Sequence, residues 1–491
     1  MPMPRVIVEH SQSFIDGEAR VAMADEPAKP ADGCSVPFMF LLCAPRLAMN
    51  MAWAAQWAAL GPVLHTLFPG KLWGVNLIQC IGPVVGIIVC PTIGVLSDNC
   101  TSRFGRRRPF LFWGTVATVA CWAIMMNAET FGESIGHDES SRRTAKAVLF
   151  VLTYTWMDIS VNVAQVPAIL IVADFAGDRQ LLASSIAQIY FVCGGLVVSG
   201  WNSLYGTMDA TNKYHPFFYL LMGVLLVTVL PVCYFAQETV YVPDDMDRSR
   251  YDRLRDGFSA VYNSLRYLPR LLGVYFVCIL LLQFGYQAYN SNKGDYFGAF
   301  VKGGTANATD KCNYRGRKAT GNYSECSVEQ TLYLDGVSVA TGVTDTIQIL
   351  VGLVWVATLP FLVNLYGVRR VFLASIVPQF SLAVLVFSKN IPVNLVAVTA
   401  CGITQNTLFA LQIPLILHVI GFGEQAGLGL FAGALNSAIT IGQLLTTAQS
   451  AIAGAVTTQA VAPWPILVGA IATVVAFVIA FLKFTVRMNT M

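Results

Sequence analysis

Apolar runs of about 20 residues recur from one end of this 491-residue chain to the other. They lie at 38–67, 73–96, 110–127, 147–173, 181–204 and 217–235, then at 271–289, 336–364, 371–387, 391–420, 428–455 and 466–482. In helical form that length matches a hydrocarbon layer about 30 Å thick. Lipid offers no partner for a backbone N–H or C=O, so each run has to satisfy its own as a helix. Asp, Glu, Lys and Arg together make up 12% of the residues, half the roughly 25% of a soluble chain. That excludes a water-exposed globule. The chain is expected to be an all-α membrane protein of twelve transmembrane helices in two six-helix halves.

The polar segments set the boundaries. Residues 1–36 are mostly polar, mixed in charge and rich in Pro and Ala, as in a disordered cytoplasmic tail. They lack the basic start, short apolar run and small-residue site of a cleavable signal peptide. An N-terminal half spans 37–237, a cytoplasmic linker 238–270, a C-terminal half 271–484 and a cytoplasmic tail 485–491. Lys and Arg favour short cytoplasmic loops. Arg103, Arg106, Arg107 and Arg108, the arginines of the linker, and Arg369 with Arg370 all fall on the side of the amino terminus. The long polar segment 290–334 falls on the other side, outside the cell. It carries N-glycosylation acceptors at Asn307 and Asn322, and a close cysteine pair, Cys312 and Cys326. Glycosylation and a disulfide are both expected there.

A repeat emerges when the halves are compared. Phe104-Gly105-Arg106-Arg107-Arg108 follows the second run, and Tyr366-Gly367-Val368-Arg369-Arg370 follows the eighth. Both read aromatic, Gly, any residue, Arg, Arg. Paired halves of this kind build the major facilitator fold, with the substrate site between them near the midplane. Asp98 would face the positive amino-terminal end of a helix, and the arginines would meet carboxy-terminal carbonyls. Asp98, Arg103, Gly105, Arg106, Arg107, Arg108, Gly367, Arg369 and Arg370 are therefore candidate gating residues. A basic cluster pinned between membrane helices is not a nucleic-acid site.

Charge within a membrane is costly, so each intramembrane ionisable residue is a functional candidate. Asp158 comes first. Asn162 and Gln165 follow at helical spacing on its face, and Pro167 comes next. A carboxyl there can exchange a proton, and the amides beside it can bind sugar hydroxyls. The plainer alternative is a carboxyl satisfied by a neighbouring helix. Asp345 is the second proton-coupling candidate. Gln56, Trp53 and Gln348 join Asn162 and Gln165 as candidate substrate-binding residues. Arg46 is expected to snorkel to the cytoplasmic surface. No nucleophile–base set, nucleotide loop or metal-ligand cluster is visible, so neither catalysis, metal nor cofactor is expected.

Residues 100–110, CTSRFGRRRPF, resemble the second-to-third loop of the sucrose/proton symporters, in the glycoside-pentoside-hexuronide branch of the major facilitator superfamily. Trp53-Ala54, Gln56, Leu60 and Pro62 are similar to that family's first helix, and Gly82-Pro83 to its second. Asp158, Asn162, Gln165, Pro167, Ala173 and Asp174 resemble its fourth; Gly427-Leu428-Gly429 and Leu435-Asn436-Ser437-Ala438-Ile439 resemble the start of its eleventh. The resemblance implies that Asp158 is the proton-coupling acid. Two departures bear on the cargo. Ile169 stands where the sucrose transporters have Arg, and Asn290 and Asn292 stand where they have Asp. The expectation is a proton-coupled symporter of sucrose or another disaccharide or glucoside, working by alternating access. An uncoupled sugar facilitator and a transport-deficient sugar sensor are the alternatives. The expected partners are the sugar, a proton and the bilayer, for a monomer in the plasma membrane rather than the vacuolar membrane.

Overall fold

The computed structural model describes residues 33–56, 78, 80–135, 139–205, 214–238, 259, 262, 265–305, 327–421, 428–456 and 463–486. Asn307, Asn322, Cys312 and Cys326 lie outside the described residues. Eleven described stretches are long and apolar enough to cross a membrane, and one of them, Thr144–Trp201, is 58 residues long. It holds two helices, divided at Gly177–Arg179. The helices are α1 (Val36–Ala55), α2 (Ile81–Asp98), α3 (Arg108–Met126), α4 (Glu139–Ala176), α5 (Gln180–Tyr205) and α6 (Tyr214–Phe235). The second half has α7 (Arg270–Asn290), α8 (Val328–Tyr366) and α9 (Val368–Phe387), then α10 (Ile391–Ile420), α11 (Leu428–Val456) and α12 (Pro463–Lys483).

Two boundaries differ from the apolar runs, for local reasons. α4 and α8 each start about two turns before the apolar residues do, because a polar stretch can extend a helix beyond lipid. At α8 the Ser327 hydroxyl accepts from the Gln330 amide at 3.1 Å, capping the helix. The segment after Asn290 also begins inside the protein. Tyr296 and Phe297 are fully buried there, and the Tyr296 hydroxyl donates to the Leu385 carbonyl at 2.8 Å.

Each half buries its own apolar cluster. The cluster of the second half also takes in Cys90, Leu170, Ala173 and Leu181 from the first. The halves therefore close on each other toward the end that carries the arginine loop. Small residues permit this. The backbones of α2 and α11 touch at Gly94 and Gly429, and Gly433 lies against Pro91. On the other flank, α5 meets α10, where Gln188 Nε2 donates to Asn406 Oδ1 at 3.0 Å.

Candidate transport site and gate

Asp158 sits on α4 with no exposed surface. Gln56, at the end of α1, donates through Nε2 to Asp158 Oδ1 at 2.9 Å and to the Tyr154 hydroxyl at 2.7 Å. Asp158 Oδ2 has no hydrogen-bond partner among the described residues. Gly82 of α2 leaves room for the carboxylate; a Cβ there would stand 3.3 Å from both oxygens. No ion pair among the described residues includes Asp158. A charge left unpaired there would be costly.

Four of the expected residues gather around this acid. Asn162 Nδ2 donates to the Asp158 carbonyl at 2.7 Å, as its position one turn on allows. Gln165 Oε1 accepts from Trp53 Nε1 at 2.5 Å, which ties α4 to α1 a second time. A link that sequence reasoning missed extends the site to the other half. The Cys90 thiol donates to Asn162 Oδ1 at 3.1 Å, and Cys90 Sγ accepts from Asn436 Nδ2 of α11 at 3.1 Å.

The other candidates stand apart from Asp158. Gln348 Nε2 donates to the Tyr286 hydroxyl at 3.1 Å. Asp345 follows a π-helical turn at Val339–Thr344 and pairs with Lys293, Nζ to Oδ2 at 2.6 Å. A buried amide chain joins α7, α10 and the α9 segment: Gln283 donates to Gln405 at 2.7 Å and Gln405 to Gln379 at 2.8 Å. Uncharged residues inside apolar runs carry little signal, so these glutamines were not singled out.

The arginine loop forms a closed ionic cluster. Asp98 Oδ2 accepts from the Gly429 amide in the first turn of α11 at 3.0 Å, where the helix end is positive. Arg107, 1% exposed, reaches Asp98 Oδ1 at 2.5 Å, Asp174 Oδ2 at 3.1 Å and Ser97 Oγ at 2.7 Å. Burial opposes its charge, but Asp98 and Asp174 outweigh that and hold the guanidinium firmly protonated. Arg106 pairs with Asp174 at 3.1 Å, and Arg103 lies over the Phe104 ring, 4.8 Å from its centroid. Arg108 Nη1 donates to the Cys233 carbonyl in the last turn of α6 at 3.2 Å. In the second half Arg369 Nη2 donates to the Phe481 carbonyl near the end of α12 at 3.0 Å, and Arg370 is exposed. Gly105 and Gly367 hold φ of +95° and +79°, which a side chain would strain. The repeat is therefore one of backbone shape as well as of wording. Asp174 and Glu238 were missed as partners of the arginine loop; their signal is an acid at a helix end on the arginine side.

Glu238 accepts the backbone N–H of Arg107 and of Arg108, each at 3.0 Å. Burial pushes its carboxyl above the ordinary carboxylate range, against those N–H bonds, which favour the charge. The folded protein thus binds this proton more tightly than the unfolded chain does. The resulting stability is full at acid pH and is lost as pH rises through the raised value. In thermal unfolding followed upward from the ordinary glutamate value, the wild type should lose ground to Glu238→Gln as pH increases. A constant gap between them would refute the assignment.

Two helical halves that meet beside a buried carboxyl, with an ion-paired loop closing one end, define a membrane carrier with a seam between its halves. The chain belongs to the MFS/sugar transport protein family, whose model matches residues 44–310, more than half of its length. Sucrose transport protein SUC4 of Arabidopsis thaliana is 23% identical over 429 residues, covering 82% of this chain and 81% of that protein. Sucrose transport protein SUT5 of Oryza sativa subsp. indica is 25% identical over 449 residues, 83% of this chain and 80% of the other. The match to sucrose transport protein SUC3 of Arabidopsis thaliana is 27% identical and shorter, spanning 44% of this chain and 39% of that protein. Among solved structures, an outward-facing bacterial homologue of the iron transporter ferroportin aligns with a TM-score of 0.60 at 13% identity, covering 92% of this chain and 99% of that one. The major facilitator transporter FucP in its outward conformation gives 0.55 at 14% identity, with the same coverage. These likenesses show the fold: all-α, membrane-spanning, of the major facilitator type.

Proposed function

We propose that this protein is a secondary active transporter that moves a sugar together with a proton by alternating access. The carrying observation is Asp158, fully buried and with Oδ2 unpartnered, in one cluster with Gln56, Trp53, Asn162 and Gln165. Protonation of Asp158 neutralises the site and lets the loaded carrier reorient; loss of the proton to the cytoplasm favours release. Asp345 is the second candidate acid, with Lys293 as its partner. The arginine loop is the cytoplasmic gate, closed in this structure. The topology belongs to the same reading: a cytoplasmic linker, an extracellular 290–334 segment glycosylated at Asn307 and Asn322 and bridged through Cys312 and Cys326, and a monomer in the plasma membrane. Relatives named as sucrose transport proteins make sucrose the first cargo to test, followed by other disaccharides and glucosides. Ile169 packs against apolar neighbours, so no cation stands at that point of α4.

Purified protein in lipid vesicles, given an imposed pH gradient and a panel of labelled sugars, tests the reading. Accumulation above the external concentration, with proton influx, is expected. Equilibration without accumulation would identify an uncoupled facilitator, and binding without flux a sensor.

A further inference from the structure

Arg46 lies ten residues into α1, about 15 Å along the helix from Val36. The structure keeps it inside rather than letting it snorkel, and it is 8% exposed. The ring of Phe191 on α5 covers the guanidinium, with its carbon 4.7 Å from the ring centroid. A cation held on an aromatic face gains from the contact, which offsets part of the cost of keeping it inside. The contact leaves at least one of its donors unused. Nη1 is buried and has no hydrogen-bond partner among the described residues. No ion pair among them includes Arg46.

The surroundings place this free donor near the seam between the halves. Phe191 faces Phe409 of α10, their centroids 6.1 Å apart. Gln188, about one turn earlier on α5, makes the contact with Asn406 across the seam. Asn50, one turn beyond Arg46, donates to the Phe191 carbonyl and fixes the covering ring. A buried guanidinium with no anion and an unused donor is costly to keep. Its planar fork suits two neighbouring oxygen acceptors.

We propose that Arg46 binds the cargo, donating from Nη1 to neighbouring hydroxyl oxygens of the sugar while Phe191 holds the guanidinium plane. This assignment rests on the reading of the chain as a sugar carrier. The test is equilibrium binding to purified protein in lipid nanodiscs, read by tryptophan fluorescence and by thermal unfolding. The ligands are sucrose, a neutral glucoside and a glucuronide with the same aglycone; the proteins are wild type, Arg46→Lys and Arg46→Met. Arg46→Met should weaken binding of the neutral sugar by about 10- to 100-fold, as for lost hydrogen bonds from a charged donor. Arg46→Lys should weaken it less. The unliganded melting temperature of Arg46→Met should be unchanged or higher, because a buried unpaired charge has been removed. Unchanged sugar affinity in Arg46→Met overturns the proposal, and so does a lowered unliganded melting temperature with affinity intact, which marks a structural cation. Dependence on Arg46 for the glucuronide alone overturns the hydroxyl assignment in favour of a carboxylate. A wild type that neither binds nor transports any sugar sinks the carrier reading itself, which separates the two failures.

Discussion

Asp158→Asn is expected to abolish proton-driven accumulation of sugar while leaving sugar exchange across the membrane intact. The substitution keeps the shape of the side chain, and Gln56 can still donate to its remaining oxygen. An amide carries no proton in or out, however, so the site stays in its neutral condition. The loaded carrier can still reorient, and the link to the pH gradient is cut. One pH unit across the membrane is worth about 1.4 kcal/mol, or roughly tenfold accumulation for one proton per sugar. The variant should therefore fall from about that ratio to equality, with counterflow of labelled sugar retained. If it still concentrates sugar against its gradient, Asp158 is not the coupling acid.

Gly94→Val should stop net transport by a different route. A Cβ at Gly94 would lie 2.3 Å from the carbonyl oxygen of Gly429, and one at Gly429 would lie 2.4 Å from that of Gly94. Both obstacles are backbone, so no side chain can swing aside. The closed arrangement of the arginine-loop end would be lost, and with it the Asp98 bond to the Gly429 amide. Overpacking of this kind typically costs 1–3 kcal/mol, so the closed-to-open ratio should fall by about 5- to 150-fold. Uptake should fall with it, while the amount of protein in the membrane is unchanged. Gly200→Val is the control, because a Cβ at Gly200 meets nothing within 4 Å. Equal losses in the two variants would show that helix chemistry, and not the α2–α11 contact, is responsible.

The helices were legible because lipid leaves the backbone one choice, so length and apolarity nearly suffice. Twelve membrane helices were expected, the described residues hold twelve once the 58-residue stretch is divided, and α10 has the expected ends. Asp158 stood out for a related reason: an acid is rare in an apolar run, and the structure buries it fully. Asn162 and Gln165 followed from the period of the helix. Contacts between helices were harder to read, since they depend on which residue of another segment arrives at the same depth. Arg46 shows the difference. Its position near the start of an apolar run favoured snorkelling, and Phe191, well over 100 residues away in sequence, decided otherwise. Cys90 reads as one small apolar residue among others until α4 and α11 bring amides to either side of it. The ionic cluster was half visible: its arginines stand out in a charge-poor chain, whereas their acids at 174 and 238 lie at the ends of other helices.

The thiol between Asn162 and Asn436 has a practical consequence. Its two neighbours belong to opposite halves, so parting the seam must uncover the sulfur and closing it must hide the sulfur again. A small permeant alkylating reagent would then react with Cys90 only in molecules caught apart. With the other cysteines replaced by serine, the rate at which such a reagent silences the protein would report how much of each turnover is spent in that posture, and adding cargo would speed or slow it. The carrier holds its own stopwatch, started by the chemist and read as lost activity.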